Sequence, residues 1–371
     1  MAITYPLSMP TSPGLKTARL TMRNVVGISE SPTTLAQQVL DWNADAWLLE
    51  AVLPRISTRA QAEPWNAFLA ALKGPVGTFL AGDPAGRVAQ GQLGKNLLQN
   101  PEQFDNAIWT KDTGTLPAVV TANAASAPQA GLSLADKIAF PGTLTAGQTS
   151  QVVQLVPLCA AQRSFTFSVW MKADAGCTVT MRIEDASPYQ GPAASADVAV
   201  TTGWQRFSVS GAFANSPGGS IHVILRYQAV AAAANVYAWG AQLEPGLAMG
   251  VYQQRYGDPI CDGGALQRAS SMTVRGLVPN ATGLLLAGDY FQLGSGTSTR
   301  LYKLLGDINA DATGKAGIDF WPGLRGPLAD GQVLTLVGAQ GLFRLASVDR
   351  GFDLDEILQY PGLAFSAREA L

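Results

Sequence analysis

Two stretches alternate apolar and polar residues with a period of two, and that alternation admits few folds. Phe165, Phe167, Val169 and Met171 fall on one side of a strand, and Thr166, Ser168, Trp170 and Lys172 on the other. Cys177, Val179, Met181 and Ile183 oppose Thr178, Thr180, Arg182 and Glu184 in the same way. Successive strand side chains point to opposite faces. A strand apolar on one face only must bury that face against a second sheet, so the pattern predicts a β-sandwich. Further strands are expected at Val152 to Val156, Trp204 to Ser210, Ile221 to Tyr227 and Val236 to Leu243.

This β-rich block, residues 95–257, interrupts a second β pattern. Before it, Leu15 to Ile28 reads as a strand, and Val39 to Leu53 as a hairpin turning at Asn43-Ala44-Asp45. Trp65, Phe68, Leu69 and Leu72 then recur at i, i+3, i+4 and i+7, an amphipathic helix. Thr58 and Gln61 are placed for a capping box, and Gly74-Pro75 for a stop. Pro64 implies that the helix begins near Glu63 or bends there. Val76 to Leu80 resumes as strand. After the block, strands are expected at Ser271 to Val278, Leu284 to Leu293, Leu301 to Leu305, Lys315 to Phe320, Val333 to Leu336 and Leu342 to Ala346. Regular turns between these short strands indicate a sandwich or barrel, and the whole is all-β with little helix. The reading is a β-sandwich scaffold built from residues 1–94 and 258–371, with an inserted module at 95–257.

Composition narrows the function. Charged residues make up 14% of the chain and the net charge is −2 with no basic run, which argues against nucleic acid as a partner. No apolar stretch is long enough to span a bilayer, so no membrane insertion is expected. The first residues lack a basic region followed by an apolar core, so no signal peptide is expected. Cys159, Cys177 and Cys261 fit neither a disulfide framework nor a zinc site. Cys159 and Cys177 could pair across adjacent strands, but buried free thiols in a reducing compartment are the plainer expectation. His222 is the single histidine and sits in an alternating strand, where a polar-face position explains it without catalysis. Asp307, Asn309, Asp311 and Thr313 imitate the start of a calcium loop. Ala312 and Ile318 then stand where such a loop needs Gly and Glu, so a hairpin turn is expected. No cofactor or metal is implied.

Trp170 is the odd member of a polar face. A flat aromatic among hydrogen-bonding side chains suits the C–H face of a pyranose, with Arg182, Glu184 and Arg226 as polar partners. Two readings stay open: a glycan site, or a tryptophan covered by a loop or neighbouring strand.

Several segments carry a resemblance. Asn96-Leu97-Leu98, Phe104 to Thr110, Phe165 to Lys172, Gly203 to Arg206 and Trp239 to Glu244 resemble jelly-roll carbohydrate-binding modules of bacteriophage tail proteins. Trp65 to Phe68, Gly74 to Phe79, Gly82-Asp83-Pro84, Ala287 to Gln292, Arg300 to Tyr302, Asp311 to Gly314 and Phe343 to Leu345 resemble the two ends of a siphophage distal tail protein. The resemblance implies a non-enzymatic belt domain, assembled as a homo-oligomeric, hexameric ring between tail tube and tip proteins in the virion. Its inserted module would touch host-surface carbohydrate. A free-standing adhesin or fibre is the alternative, but no repeat or heptad supports it. A polysaccharide depolymerase would need two carboxylates across a glycosidic bond. Glu184 and Asp185 face opposite ways on a strand, whereas pairings of Glu184 with Asp174 or Glu244 stay open.

Overall fold

The computed structural model describes residues 3–42, 44–86, 88–111, 116–129, 134–142, 148–157, 164–186, 192–214, 220–228, 232–255, 257–348 and 362–371. Asn43, Cys159 and part of the alanine-rich stretch at 229–235 lie outside them. The first segment holds β1 (Leu7–Ser8), β2 (Thr17–Arg23), β3 (Val26–Glu30), β4 (Gln37–Asp41), β5 (Ala46–Val52), α1 (Arg59–Leu72) and β6 (Phe79–Ala81). The middle holds α2 (Gln92–Lys95), β7 (Trp109–Lys111), β8 (Val119–Ala125), β9 (Ala135–Phe140), β10 (Ser150–Pro157), β11 (Ser164–Ala173), β12 (Cys177–Asp185), β13 (Ala194–Val200), β14 (Gln205–Ala212), β15 (Ser220–Tyr227) and β16 (Ala234–Pro245). The last holds β17 (Ile260–Cys261), β18 (Ser271–Arg275), β19 (Tyr290–Leu293), β20 (Arg300–Leu304), β21 (Lys315–Trp321), β22 (Gly341–Leu345) and β23 (Ala364–Glu369). The fold is all-β with minor helix. No helix among the described residues is long and apolar enough to cross a membrane.

The described residues form three hydrophobic cores. In the first, the sheet order β1-β6-β22-β23-β5-β2 interleaves strands from residues 7–81 with strands from 341–369. Trp65, Phe68, Leu69 and Leu72 of α1 pack on its inner face, against Phe79 and Phe365. The expected stripe is therefore core. α1 runs from Arg59 with Pro64 inside it, rather than beginning near Glu63. Thr58 makes no side-chain cap; instead its carbonyl accepts from the Gln61 and Ala62 amides. Termination falls where Gly74 predicted it, with Lys73 and Gly74 both left-handed.

The expected Val39–Leu53 hairpin does not form. β4 pairs with β3, while β5 pairs with β2 and β23. Trp47, Leu49 and Ala51 give β5 a buried face and both its edges are taken, so β4 has no place beside it. The β3–β4 ribbon stands by itself as a two-stranded sheet.

In the last segment, where a sandwich or barrel was expected, the barrel forms. Residues 260–336 form a separate body with the order β17-β18-β21-β20-β19 and its own core around Phe291, Tyr302 and Phe320. The expected strand at Val333 to Leu336 is reduced to single bridges. Val333 pairs with Ile260 at one edge of this sheet and Thr335 with Gln292 at the other. The sheet is thereby closed into a small barrel, which removes exposed edges. Arg325 clamps Glu369 with bonds of 3.0 and 2.6 Å and ties this body to the first sheet.

On the barrel, Arg275 bonds Asp262 at 2.7 Å and Asp330 at 2.5 Å, and Lys315 bonds Asp262 at 2.7 Å. The Arg275 hydrogen bond, helped by the Gly263 amide, holds the Asp330 carboxyl down at about 2. Its unfolded value is about 4. A carboxyl depressed in the folded state stabilises above its unfolded pKa and loses that contribution as pH falls through the folded one. Asp330→Asn is therefore expected to lower the melting temperature at pH 5 and to match the parent near pH 2. An equal difference at both pH values would refute the linkage.

The middle block forms two five-stranded antiparallel sheets in a jelly-roll arrangement, β13-β12-β15-β10-β7 facing β14-β11-β16-β9-β8. Phe165, Phe167, Val169 and Met171 meet Val179, Met181 and Ile183 in its core, as the alternation required. Val88 and Val337, outside 95–257, pack against the same core, so the block is seated on its neighbours.

Candidate functional site: a polar sheet face on the middle block

Alternation fixes what each outer face carries. On β12, Val179, Met181 and Ile183 point inward, which leaves Thr180, Arg182 and Glu184 outside. On β15, Ile221, Val223, Leu225 and Tyr227 point into the core, which turns His222, Ile224 and Arg226 to the other face, where Ile224 is buried and His222 and Arg226 are half-buried. Strand register then sets these residues in rows. Asp197, Thr180, Arg226 and Gln151 are directly opposite one another across four strands. Ser195, Arg182, Ile224 and Val153 form the next row, and Glu184, His222 and Leu155 the third.

The rows are hydrogen-bonded internally. Thr180 Oγ1 donates to Asp197 Oδ1 at 2.6 Å, and Arg226 Nε donates to Gln151 Oε1 at 2.9 Å. Arg182 and Glu184 form an ion pair along β12. Arg182 Nε is buried with no hydrogen-bond partner among the described residues. Leu155 at one margin is 50% exposed, and Asp197 and Ser195 are exposed at the other. Chemically, the face offers planar guanidinium donors, carboxylate and amide acceptors, and one planar ring, His222, among the described residues of its strands. Such a set matches vicinal hydroxyls, which donate and accept at once.

Three of the expected site residues, Arg182, Glu184 and Arg226, therefore come together. Trp170 does not join them. It lies on β11 in the opposite sheet, and its outer face is covered by the chain leaving the block. Tyr252 stands edge-on at 5.5 Å, Trp239 lies at 5.4 Å, and the Arg206 guanidinium sits 4.3 Å from the ring centroid. Residues 246–253 are pinned over this sheet. Thr166 Oγ1 donates to Gly246 O, Arg206 to Gly250 O, and Gln242 to Val251 O. Thr166 and Ser168, polar residues on an outer face, are consequently fully buried. Gly240, left-handed at φ +63°, gives Trp170 its room: a Cβ there would come within 3.1 Å of the indole. Trp170 is thus a half-buried tryptophan packed by Arg206, Tyr252 and Trp239 and set on a different sheet from Arg182, Glu184 and Arg226; the segment beside it, about eighty residues downstream, is invisible in local alternation.

Residues that sequence reasoning missed are Gln151, Thr180 and Asp197. The alternation signal marked Thr180 as outward, but nothing local told which strands would lie beside β12. Elsewhere, the carboxyl and amide groups of the calcium-like stretch cap turns. Asp311 Oδ1 accepts from Thr313 N, Thr313 Oγ1 and Lys315 N, Asn309 from Gly283 N, and Asp307 from Ala287 N. Cys177 is a free thiol, as is the buried Cys261.

No family model matches the chain, and no curated protein matches it. Solved structures similar to part of it include TmCBM61 in complex with β-1,4-galactotriose, at 18% identity, TM-score 0.30, over 41% of this chain and 99% of that one. A family 11 carbohydrate-binding module from Clostridium thermocellum, in complex with a β-1,3-1,4-mixed-linked tetrasaccharide, is similar at 12% identity and TM-score 0.29, over 42% and 97%. The enzymatically active domain of bacteriophage CBA120 tailspike protein 4 is similar at 16% identity and TM-score 0.32, over 41% of this chain and 22% of that one. Likenesses this distant say nothing of ligand or activity.

Proposed function

We propose that the chain is a structural ring component of a bacteriophage tail, lying between tail tube and tip proteins in the virion, and that its middle block binds host-surface glycans. The observation that carries the glycan reading is the continuous polar row Asp197–Thr180–Arg226–Gln151, flanked by the Arg182–Glu184 pair, on the outer face of one jelly-roll sheet. The opposite outer face is occupied by residues 246–253, so this sheet is the better candidate. The ring reading is supported by the sheet that joins strands from both segments flanking the block, and by the ribbon that projects from it with apolar side chains exposed. Six copies are proposed, and no catalytic step is assigned.

The test is titration of the full chain against a glycan array, then calorimetry on whatever is retained. Arg226→Ala and Arg182→Ala are each expected to weaken binding about tenfold or more, since a hydrogen bond from a charged group contributes roughly 1.5–3 kcal/mol. Trp170→Phe should leave affinity unchanged. Retention of full affinity by both arginine variants would remove this face as the site, and a silent array would remove the glycan reading.

A further inference from the structure

The β3–β4 ribbon is a structural anomaly. Its two five-residue strands pair, among the described strands, only with each other, and an isolated hairpin in water is marginal at best. Its side chains make matters worse for a lone chain. Ile28 and Val39, directly opposite each other, are both 63% exposed, and Val26 and Leu40 are exposed as well. Its charges are of one sign: residues 26–41 contain Glu30 and Asp41 and no Lys, Arg or His.

A second anomaly lies on the outer face of the six-stranded sheet. Arg344 on β22 and Arg368 on β23 are directly opposite in register, and like charges so placed are destabilising. They line a groove of about 530 Å³ together with Arg23, Leu48 and Pro75. Its one acidic side chain among the described residues, Glu369, is already clamped by Arg325. The groove is therefore cationic with an apolar floor, and the ribbon is anionic with apolar sides. Arg23 and Val25, at the ribbon's own base, also line the groove. From there each ribbon strand runs on for roughly 17 Å, which carries the acidic Glu30 end away from its own groove.

We propose that the ribbon of one copy docks in the Arg23/Arg344/Arg368 groove of a second copy of this chain. The contact is head-to-tail, the kind that closes into a ring when its rotation permits. It rests on the ring reading above and names the surfaces that make it. Each anomaly resolves the other: the ribbon gains a surface for its apolar sides, and Arg368, which faces an Arg344 already donating to Pro75 O and Val76 O, gains a carboxylate.

The experiment is light scattering after size-exclusion chromatography on the full chain and its variants. The parent is expected as a closed multimer. Ile28→Asp and Glu30→Arg should each raise the concentration for half-assembly at least about tenfold, with unchanged circular dichroism. Arg368→Glu should do the same while raising the melting temperature of the monomer, because it ends the Arg344–Arg368 repulsion. A loss of folding would not produce that pair of effects. Glu30→Arg combined with Arg368→Glu should restore assembly. A parent that stays monomeric overturns both the ring reading and this contact. A parent multimer that survives the ribbon variants, or that the charge exchange fails to restore, overturns the contact alone.

Discussion

Trp47→Ala is expected to remove about 4 kcal/mol or more of stability, the largest effect of any single substitution on the scaffold. The indole is 1% exposed. It meets Trp321 edge-on at 4.6 Å and Tyr290 at 6.0 Å, and its Nε1 donates to Leu301 O at 2.9 Å. Large-to-small truncation of a buried aromatic costs about 3–5 kcal/mol through lost transfer energy and the cavity left behind. Leaving the Leu301 carbonyl without its donor adds about 1–3 kcal/mol. Domain stabilities of about 5–15 kcal/mol make this a large fraction of the whole. Because Trp47 belongs to the first sheet while Trp321 and Leu301 belong to the barrel, the two bodies should loosen together. Urea denaturation checks this, with Trp47→Phe as the graded control: it keeps an aromatic ring and loses the hydrogen bond and part of the buried volume. A Trp47→Ala midpoint within experimental error of the parent would show that the contact is not what joins the bodies.

Arg255→Met should be nearly as damaging, for a different reason. Arg255 is 1% exposed, pairs with the buried Asp258, and donates to Leu93 O and Asn96 O at 3.3 and 2.8 Å. It thus ties together the two chain crossings at the base of the jelly roll. Asn96 reinforces the junction by donating to Ala241 O and Gln253 O and accepting from the Leu98 and Leu243 amides. Breaking a buried ion pair by removing one partner costs about 3–5 kcal/mol, because the remaining charge is stranded. Methionine fills most of the volume, so the loss would be electrostatic. The double variant Arg255→Met, Asp258→Leu should recover much of it, since no charge is then left unpaired. Limited proteolysis would report the junction directly, with new cleavage near 93–96 or 253–258 in the single variant. Equal stability of the single and double variants would sink this account.

The elements most legible in the sequence were those whose signal is local. The period-two runs at Phe165–Lys172 and Cys177–Glu184 became β11 and β12 with the expected faces inward, and the Trp65–Leu72 stripe became the buried face of α1. Gly240 announced a close backbone approach, and Trp170 supplies it. What failed was partner choice. The turn at residues 43–45 looked like a hairpin, yet β4 and β5 take other neighbours because β5 offers a buried face and β4 does not. Strands such as β8, β13 and β23 were not anticipated, their small and polar residues giving little hydrophobic pattern. Of the site, Arg182, Glu184 and Arg226 were readable as outward polar residues, whereas Gln151 and Asp197 joined them only through strand order.

The sequence by itself determined the all-β class, the inward face of each well-patterned strand and the C-terminal stop of α1, since these follow from side-chain period and local backbone preference. Only the tertiary structure decided which strands lie side by side, that residues 260–336 close into a barrel of their own, and that Trp170 and the Arg226 row lie on different sheets. Adjacency in a sheet is set by contacts between residues far apart along the chain, and no local pattern encodes which distant edge will supply the hydrogen bonds.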